Sequence, residues 1–283
     1  MNITALIENC ITDNREDLEK EHGLSLYIDY NNLKILFDAG ASDAFERNAI
    51  KLGVDLEKVD MAILSHQHYD HGGGLSRFLE INSKASVHLC RQMKGNTYFK
   101  SLGGLINKYI GLDKKIFVKH PNRFVFVNGT AEVSKNVFII TEICRKYPQP
   151  KGNSKLLVCE NGNWLPDPFD HELIVVIKEE KELVILTGCA HNGILNMVET
   201  VVRQFPDMPI KAIIGGFHLA GIPVPQLLPE TIEEIRAIAS DLLKYPVKTV
   251  YTGHCTGMKA YGILKEVMGN KLEYLDTGKT ISI

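Results

Sequence analysis

Three histidines and an aspartate fall within six residues, His66, His68, Asp70 and His71, in the string Ser65-His66-Gln67-His68-Tyr69-Asp70-His71-Gly72-Gly73. Side chains alternate along an extended segment, so His66 and His68 can share one ion. Asp70 and His71, where the chain turns, can then face a second. Imidazole nitrogens combined with a carboxylate suit zinc, iron or manganese better than calcium or magnesium. Such ions activate water by lowering its pKa from roughly 15.7 to about 7. A decorative patch of surface histidines is a poor alternative, because the four candidate ligands follow directly on the apolar run Met61-Ala62-Ile63-Leu64. Ser65 shows no Ser-His-Asp partners in the sequence and needs none if activated water is the nucleophile.

An HxHxDH string after a short apolar strand resembles the metallo-β-lactamase superfamily. Leu36-Phe37-Asp38-Ala39-Gly40 resembles its upstream Asp-x-Gly motif, which implies that Asp38 supports the metal loop without being a ligand. The resemblance implies further ligands. His171 precedes a hairpin, as the third-motif histidine does, although Asp167 and Asp170 could instead use it as a cap. The hairpin ends in Thr187-Gly188-Cys189-Ala190-His191, so Cys189 stands where a bridging Asp is expected. That is a departure: a thiolate can ligate zinc or iron, or Cys189 fills space while His191 takes over. Tyr251-Thr252-Gly253-His254 resembles the C-terminal metal histidine. Ile213-Ile214-Gly215-Gly216-Phe217-His218 has the same strand-then-histidine form. It implies a His218 that binds substrate and stabilises its charge, or completes the second metal shell.

The strings TGCAHNGI, GGFHL and TGHCTG narrow the resemblance. They are similar to the subgroup of 7,8-dihydropterin-6-yl-methyl-4-(β-D-ribofuranosyl)aminobenzene 5′-phosphate synthases, related by reaction to dihydropteroate synthase. Two readings follow. In the first, a binuclear metal hydrolase attacks a phosphorylated or diphosphate-bearing small molecule, with Asp70 orienting the nucleophile or receiving its proton and His218 stabilising developing charge. In the second, the metals stabilise a diphosphate leaving group while an arylamine attacks a pterin methylene carbon. Tyr98, Phe99, Tyr109 and Trp164 could then support a flat ring. Both readings imply two divalent ions, zinc first, with iron or manganese as alternatives. A di-iron redox protein is disfavoured, because such relatives carry Glu where this chain has His68 and a flavin domain is missing. A non-catalytic metal-binding protein is disfavoured by the intact cluster.

These residues need strands that end at one place. Apolar runs at Ile3–Glu8, Leu24–Asp29 and Leu33–Phe37, the last two joined by Tyr30-Asn31-Asn32, read as strands. Met61–Leu64, Ala85–Leu89, Arg123–Val127 and Val137–Ile143 also read as strands, with helices over Ala44–Leu52 and Gly74–Asn82. Residues 91–122 read as a lid or insertion with a helix over Leu102–Ile110, and residues 146–170 as a long loop. Leu173–Ile177 and Leu183–Leu186 form a hairpin around a charged turn. Strands at Ala212–Ile214 and Val247–Tyr251 then alternate with helices over Gly193–Phe205, Glu230–Leu243 and Gly257–Val267. Hairpins early and strand–helix alternation late imply an α/β (α+β) fold, an αββα sandwich of two mixed sheets flanked by helices, in a single domain over 1–283.

Composition agrees. The chain has 283 residues, 45% hydrophobic and 23% charged, enough for a core without disulfides. Its net charge of −2 gives no basic face for nucleic acid or anionic membrane. The expected partner is an anionic small-molecule substrate, with no nucleic acid and no membrane; self-association is compatible with the sequence. The six cysteines form no C-x-x-C pair, and neither a signal peptide nor a long apolar span is evident. A cytoplasmic location is the expectation.

Overall fold

Asn31 and Asn32 both take positive φ, 48° and 67°, the two-residue turn whose twist matches that of paired strands. They close the hairpin between Ser25–Tyr30 and Leu33–Phe37, with Tyr30 opposite Leu33. In this computed structural model every residue is described except 94–95, 102–104 and 222–226. The chain divides into two compact units, one of Met1–Val127, Leu157–Leu165 and Asp276–Ile283, the other of Asn128–Leu156 and Pro166–Leu275.

In the first unit a seven-stranded sheet runs in the order Thr280–Ser282, Asn2–Ile7, Ser25–Tyr30, Leu33–Phe37, Met61–Leu64, Ser86–Cys90, Phe124–Val127. Pairing is antiparallel through Leu33–Phe37 and parallel beyond it. Parallel strands need covering helices. Ala44–Lys51 and Leu75–Ile81 supply them, packing Phe45, Ala49, Phe78 and Leu79 into one core with Leu36, Leu64 and Val87. The C-terminal strand, too short for a clear sequence signal, pairs with the N-terminal one.

A four-stranded sheet, in the order Asn163–Pro166, Leu156–Glu160, Thr97–Ser101, Ile106–Tyr109, revises two expectations. Ile106–Tyr109, expected to be helical, is a strand antiparallel to Thr97–Ser101; residues 102–104, where that helix would begin, lie outside the described residues. The pairing sets Tyr98 opposite Tyr109, with ring centroids 5.3 Å apart, and such aromatic pairs stabilise strands. The expected 146–170 loop holds the other two strands, turned by Asn161 and Gly162 at φ 51° and 81°.

In the second unit the sheet order is Leu272–Tyr274, Val247–Thr252, Ile210–Ile214, Glu182–Leu186, Ile174–Glu179, Val137–Ile140, Thr130–Ser134. The first four are parallel and the rest antiparallel. Helices Ile194–Gln204, Ile232–Leu242 and Met258–Met268 connect the parallel strands. Met197, Val198, Val201, Ile235, Ala239 and Leu264 bury against Ile185, Ile213 and Val250. Among the described residues no helix is long and apolar enough to cross a membrane. The mixed sheets and their helices make an α+β fold.

Candidate functional site

In the first unit the chemistry sits where parallel strands end. Asp38 follows Leu33–Phe37 with φ 58°, and its amide donates to the Ile63 carbonyl of the adjacent strand (2.9 Å). Its buried carboxylate gathers the metal loop. Oδ1 accepts the Ser65 amide at 2.7 Å, and Oδ2 lies 2.7 Å from both Ser65 Oγ and His71 Nδ1. Ser65 Oγ therefore donates to Asp38 and accepts from His66 Nδ1 at 2.9 Å. With both Nδ1 atoms carrying protons toward these acceptors, the lone pairs of His66 and His71 reside on Nε2. His66 Nε2 stands 3.1 Å from His68 Nδ1. Two ligands on one tetrahedral zinc, each about 2.0–2.1 Å from it, are separated by roughly that distance. His71 Nε2 in turn lies 3.7 Å from Asp70 Oδ2, which also faces His22 Nε2 at 3.4 Å. The donor set and its supports fit divalent zinc, iron or manganese.

The loop that carries these rings is held close to its neighbours. Gly73 has no room for a side chain, since a Cβ would sit 2.2 Å from the Ala41 carbonyl oxygen. The Ala39 amide donates to the His71 carbonyl at 2.7 Å, and the Tyr69 amide to Ile110 at 2.8 Å. His68 bridges Gly111, so Ile110 and Gly111 are pinned to the His66–His71 loop. Ser65, without evident partners in sequence, proves to be the spacer between Asp38 and His66; it is fully buried, donating to the one and accepting from the other, which suits a positioning group.

In the second unit the parallel strands Glu182–Leu186, Ile210–Ile214 and Val247–Thr252 are neighbours, and the loops at their C-terminal ends carry the other expected residues. Each loop holds a non-glycine residue in the left-handed region: Ala190 (φ 56°), His218 (52°) and His254 (48°). Conformations of this kind cost on the order of 1 kcal/mol each and cluster where a loop has to aim a side chain. Cys189, His218, His191 and His254 are all buried. The Cys189 and Cys255 sulfurs and a His218 ring nitrogen lie within 4.8 Å of one another. The His191 ring stacks on Phe169 (4.4 Å, 5°), abuts His218 (4.1 Å) and pairs through Nδ1 with Asn153 Oδ1 at 3.0 Å. His171 Nε2 pairs with buried Asp167 at 3.1 Å, which fixes its tautomer and leaves Nδ1 as the lone-pair nitrogen. Asp170 instead forms an exposed ion pair with Arg145.

Several contributors escaped the sequence reading. Glu172 is fully buried and accepts the amides of His191 and Asn192 at 2.8 Å each and Asn192 Nδ2 at 2.9 Å. Burial pushes its carboxyl above the ordinary range, and those hydrogen bonds only partly oppose the shift. A charged residue leading directly into the apolar run Leu173–Ile177 was the available signal. Cys255 was masked by its neighbour His254. Burial pushes its thiol up, but its interactions with Cys189, His254 and His218 outweigh that and hold it well below the usual thiol range.

Comparison with known proteins agrees with this architecture. Residues 19–254 match the family model described as the metallo-beta-lactamase superfamily. The chain is 31% identical over 274 residues to a Methanocaldococcus jannaschii protein named 7,8-dihydropterin-6-methyl-4-(beta-D-ribofuranosyl)-aminobenzene-5′-phosphate synthase, covering 92% of this chain and 90% of that one. A second, uncharacterised protein of the same organism is 28% identical, with 93% and 94% covered. Among solved structures, Tm1679, described as a metal-dependent hydrolase of the beta-lactamase superfamily, superposes with a TM-score of 0.84 at 31% identity, covering 100% of this chain and 99% of that one. The ordered HxHxDH loop, its buried aspartate support and the match across most of the sequence lead to one conclusion: the chain belongs to the metallo-β-lactamase superfamily.

Proposed function

We propose that the chain is a cytoplasmic, binuclear metal-dependent hydrolase acting on a phosphorylated or diphosphate-bearing small molecule. The observation that supports this most is the Asp38–Ser65 network, which engages Nδ1 of both His66 and His71 and leaves their lone pairs on Nε2, beside His68 Nδ1 and Asp70 Oδ2. In this reading His66 and His68 hold one ion, and Asp70 and His71 a second. His171, His254 and either Cys189 or His191 are further ligands on the family's pattern. Zinc suits these donors best, with iron or manganese as alternatives. When bound, the ions supply Lewis acidity toward a phosphoryl oxygen. Asp70 orients the attacking water or takes up its proton, while Asp38 and Ser65 keep the imidazoles aimed. The substrate is a small anion; neither nucleic acid nor membrane enters this reading.

One observation favours a second reading, the pterin-forming synthase. Tyr98 contacts Tyr109 (5.3 Å) and Trp164 (4.8 Å), both edge-on, which gathers three of the four aromatic residues suited to a flat ring on the small sheet. The named M. jannaschii relative gives that reading weight. A single experiment tests both: elemental analysis of the purified chain, with assays for phosphate release from phosphoesters and for arylamine condensation with a dihydropterin diphosphate. His66→Ala or His68→Ala should lose metal together with whichever activity is found. Full retention of two metals per chain in either variant refutes the ligand assignment.

A further inference from the structure

The second unit holds a cluster with a different donor chemistry from the nitrogen and oxygen set around His66. The sulfurs of Cys189 and Cys255 and a ring nitrogen of His218 lie within 4.8 Å of one another, and all three residues are buried. Donors to one tetrahedral zinc ion, at about 2.3 Å for sulfur and about 2.0–2.1 Å for nitrogen, stand roughly 3.5–3.8 Å apart. The cluster is thus within about 1 Å of the dimensions of one ion.

A second observation points to a ligand. His218 is 2% exposed, and neither of its ring nitrogens has a hydrogen-bond partner. Buried polar atoms are nearly always satisfied, and one without a protein partner marks a place for a bound ion or an ordered water. The ring is packed on two sides: His191 abuts it at 4.1 Å, and a Cβ on Gly152 would be 3.1 Å from its Nε2. The backbone around the sulfurs is equally committed. The His218 amide donates to Cys255 Sγ at 3.3 Å. The Gly216 amide donates to Gly188 at 2.8 Å and the Ala220 amide to Cys255 at 2.9 Å, which ties together the loops that carry the three donors. Gly216 leaves the space that the Cys255 sulfur occupies, since a Cβ there would lie 2.4 Å from it.

We propose that Cys189, His218 and Cys255 form a thiolate–imidazole site for a thiophilic divalent ion, zinc above all. Two thiolates neutralise a divalent charge, so the loaded site adds no net charge to a buried position. Soft sulfur donors separate its selectivity from that of a histidine–carboxylate set. Three protein ligands leave a fourth position on a tetrahedral ion open to water or a small ligand. A packed, inert pair of cysteines would account for the sulfurs but would leave the His218 imidazole unsatisfied. The proposal rests on the metal-enzyme reading only in sharing Cys189 as a candidate ligand.

The test uses the full chain, stripped with a chelator and reloaded with zinc or with cobalt(II) as a spectroscopic probe. Wild type should show a thiolate-to-cobalt charge-transfer band with the intensity of two thiolates, a measurement that needs no variant to fold. Cys255→Ser should lose one zinc equivalent or about half of the band, one thiolate of two, and His218→Ala should weaken zinc retention while His66→Ala leaves the band intact. A wild-type spectrum with no thiolate band, or with the intensity of Cys189 alone, overturns the proposal. So does a Cys255→Ser protein with unchanged zinc and spectrum, or a His218→Ala protein that keeps all its zinc and loses only turnover. If His66→Ala keeps its full metal content while the band persists, the assignment of His66 to the metal pair fails and this site stands.

Discussion

Asp38→Asn isolates the support of the metal loop with almost no change in shape. Asp38 receives three hydrogen bonds at 2.7 Å, from the Ser65 amide, the Ser65 hydroxyl and His71 Nδ1. In the amide, Oδ1 can still accept the Ser65 N–H, and the Ser65 hydroxyl can accept from Nδ2 instead of donating. His71 has no such freedom. An amide NH₂ facing Nδ1–H sets two donors against each other, and the ring escapes only by moving its proton to Nε2. That removes the lone pair meant for a metal. Losing one buried hydrogen bond to a charged acceptor costs about 1.5–3 kcal/mol, partly offset because a buried charge is also removed. A net destabilisation of about 1–3 kcal/mol is expected, against a total stability on the order of 5–15 kcal/mol. Zinc affinity should fall by roughly 10- to 100-fold, the usual effect of losing a carboxylate behind a ligating histidine. Urea unfolding of the metal-free protein reads the first quantity, and chelator competition reads the second. A variant within about 0.5 kcal/mol of wild type and within about threefold in zinc affinity would refute the tautomer argument.

Two further outcomes test parts of the second unit away from the metals. Tyr245, Lys146 and Arg203 surround Glu199 (Tyr245 Oη 2.8 Å, Lys146 Nζ 3.1 Å, Arg203 Nη2 2.8 Å), and the Tyr245 hydrogen bond leads in lowering its carboxyl from 4.5 to about 2. A depressed acid stabilises the fold above its unfolded pKa, and that contribution is lost as pH falls through the folded value. Wild type should therefore lose stability between pH 4.5 and about 2 more steeply than Glu199→Gln; parallel unfolding curves across that window would contradict it. Thr231 and Glu234 form a reciprocal capping box at the start of Ile232–Leu242, so Thr231→Ala should cost about 1 kcal/mol in thermal or urea unfolding, with metal content unchanged.

Much of this protein is legible along the chain because the relevant physics is local. The Met61–Leu64 strand running into His66, His68, Asp70 and His71 is a single extended-then-turning segment, and its spacing alone brings the candidate ligands His66 and His68 together. The Ile174–Glu179 and Glu182–Leu186 hairpin and the helices after it declare themselves by period and by turn residues. The Asn161-Gly162 turn was equally local, and reading residues 146–170 as a loop passed over a strong hairpin signal. Ile106–Tyr109 is a different case. Its partner, Thr97–Ser101, supplies the cross-strand Tyr98 that makes a strand preferable to a helix, and no short window contains both. The same holds for the site. Cys189, His218 and Cys255 are 29 and 37 residues apart in sequence, and they meet because parallel strands place the ends of three successive loops side by side. That convergence is set by the register and order of a sheet, a property of strand pairing between distant segments, so only the tertiary structure could decide it.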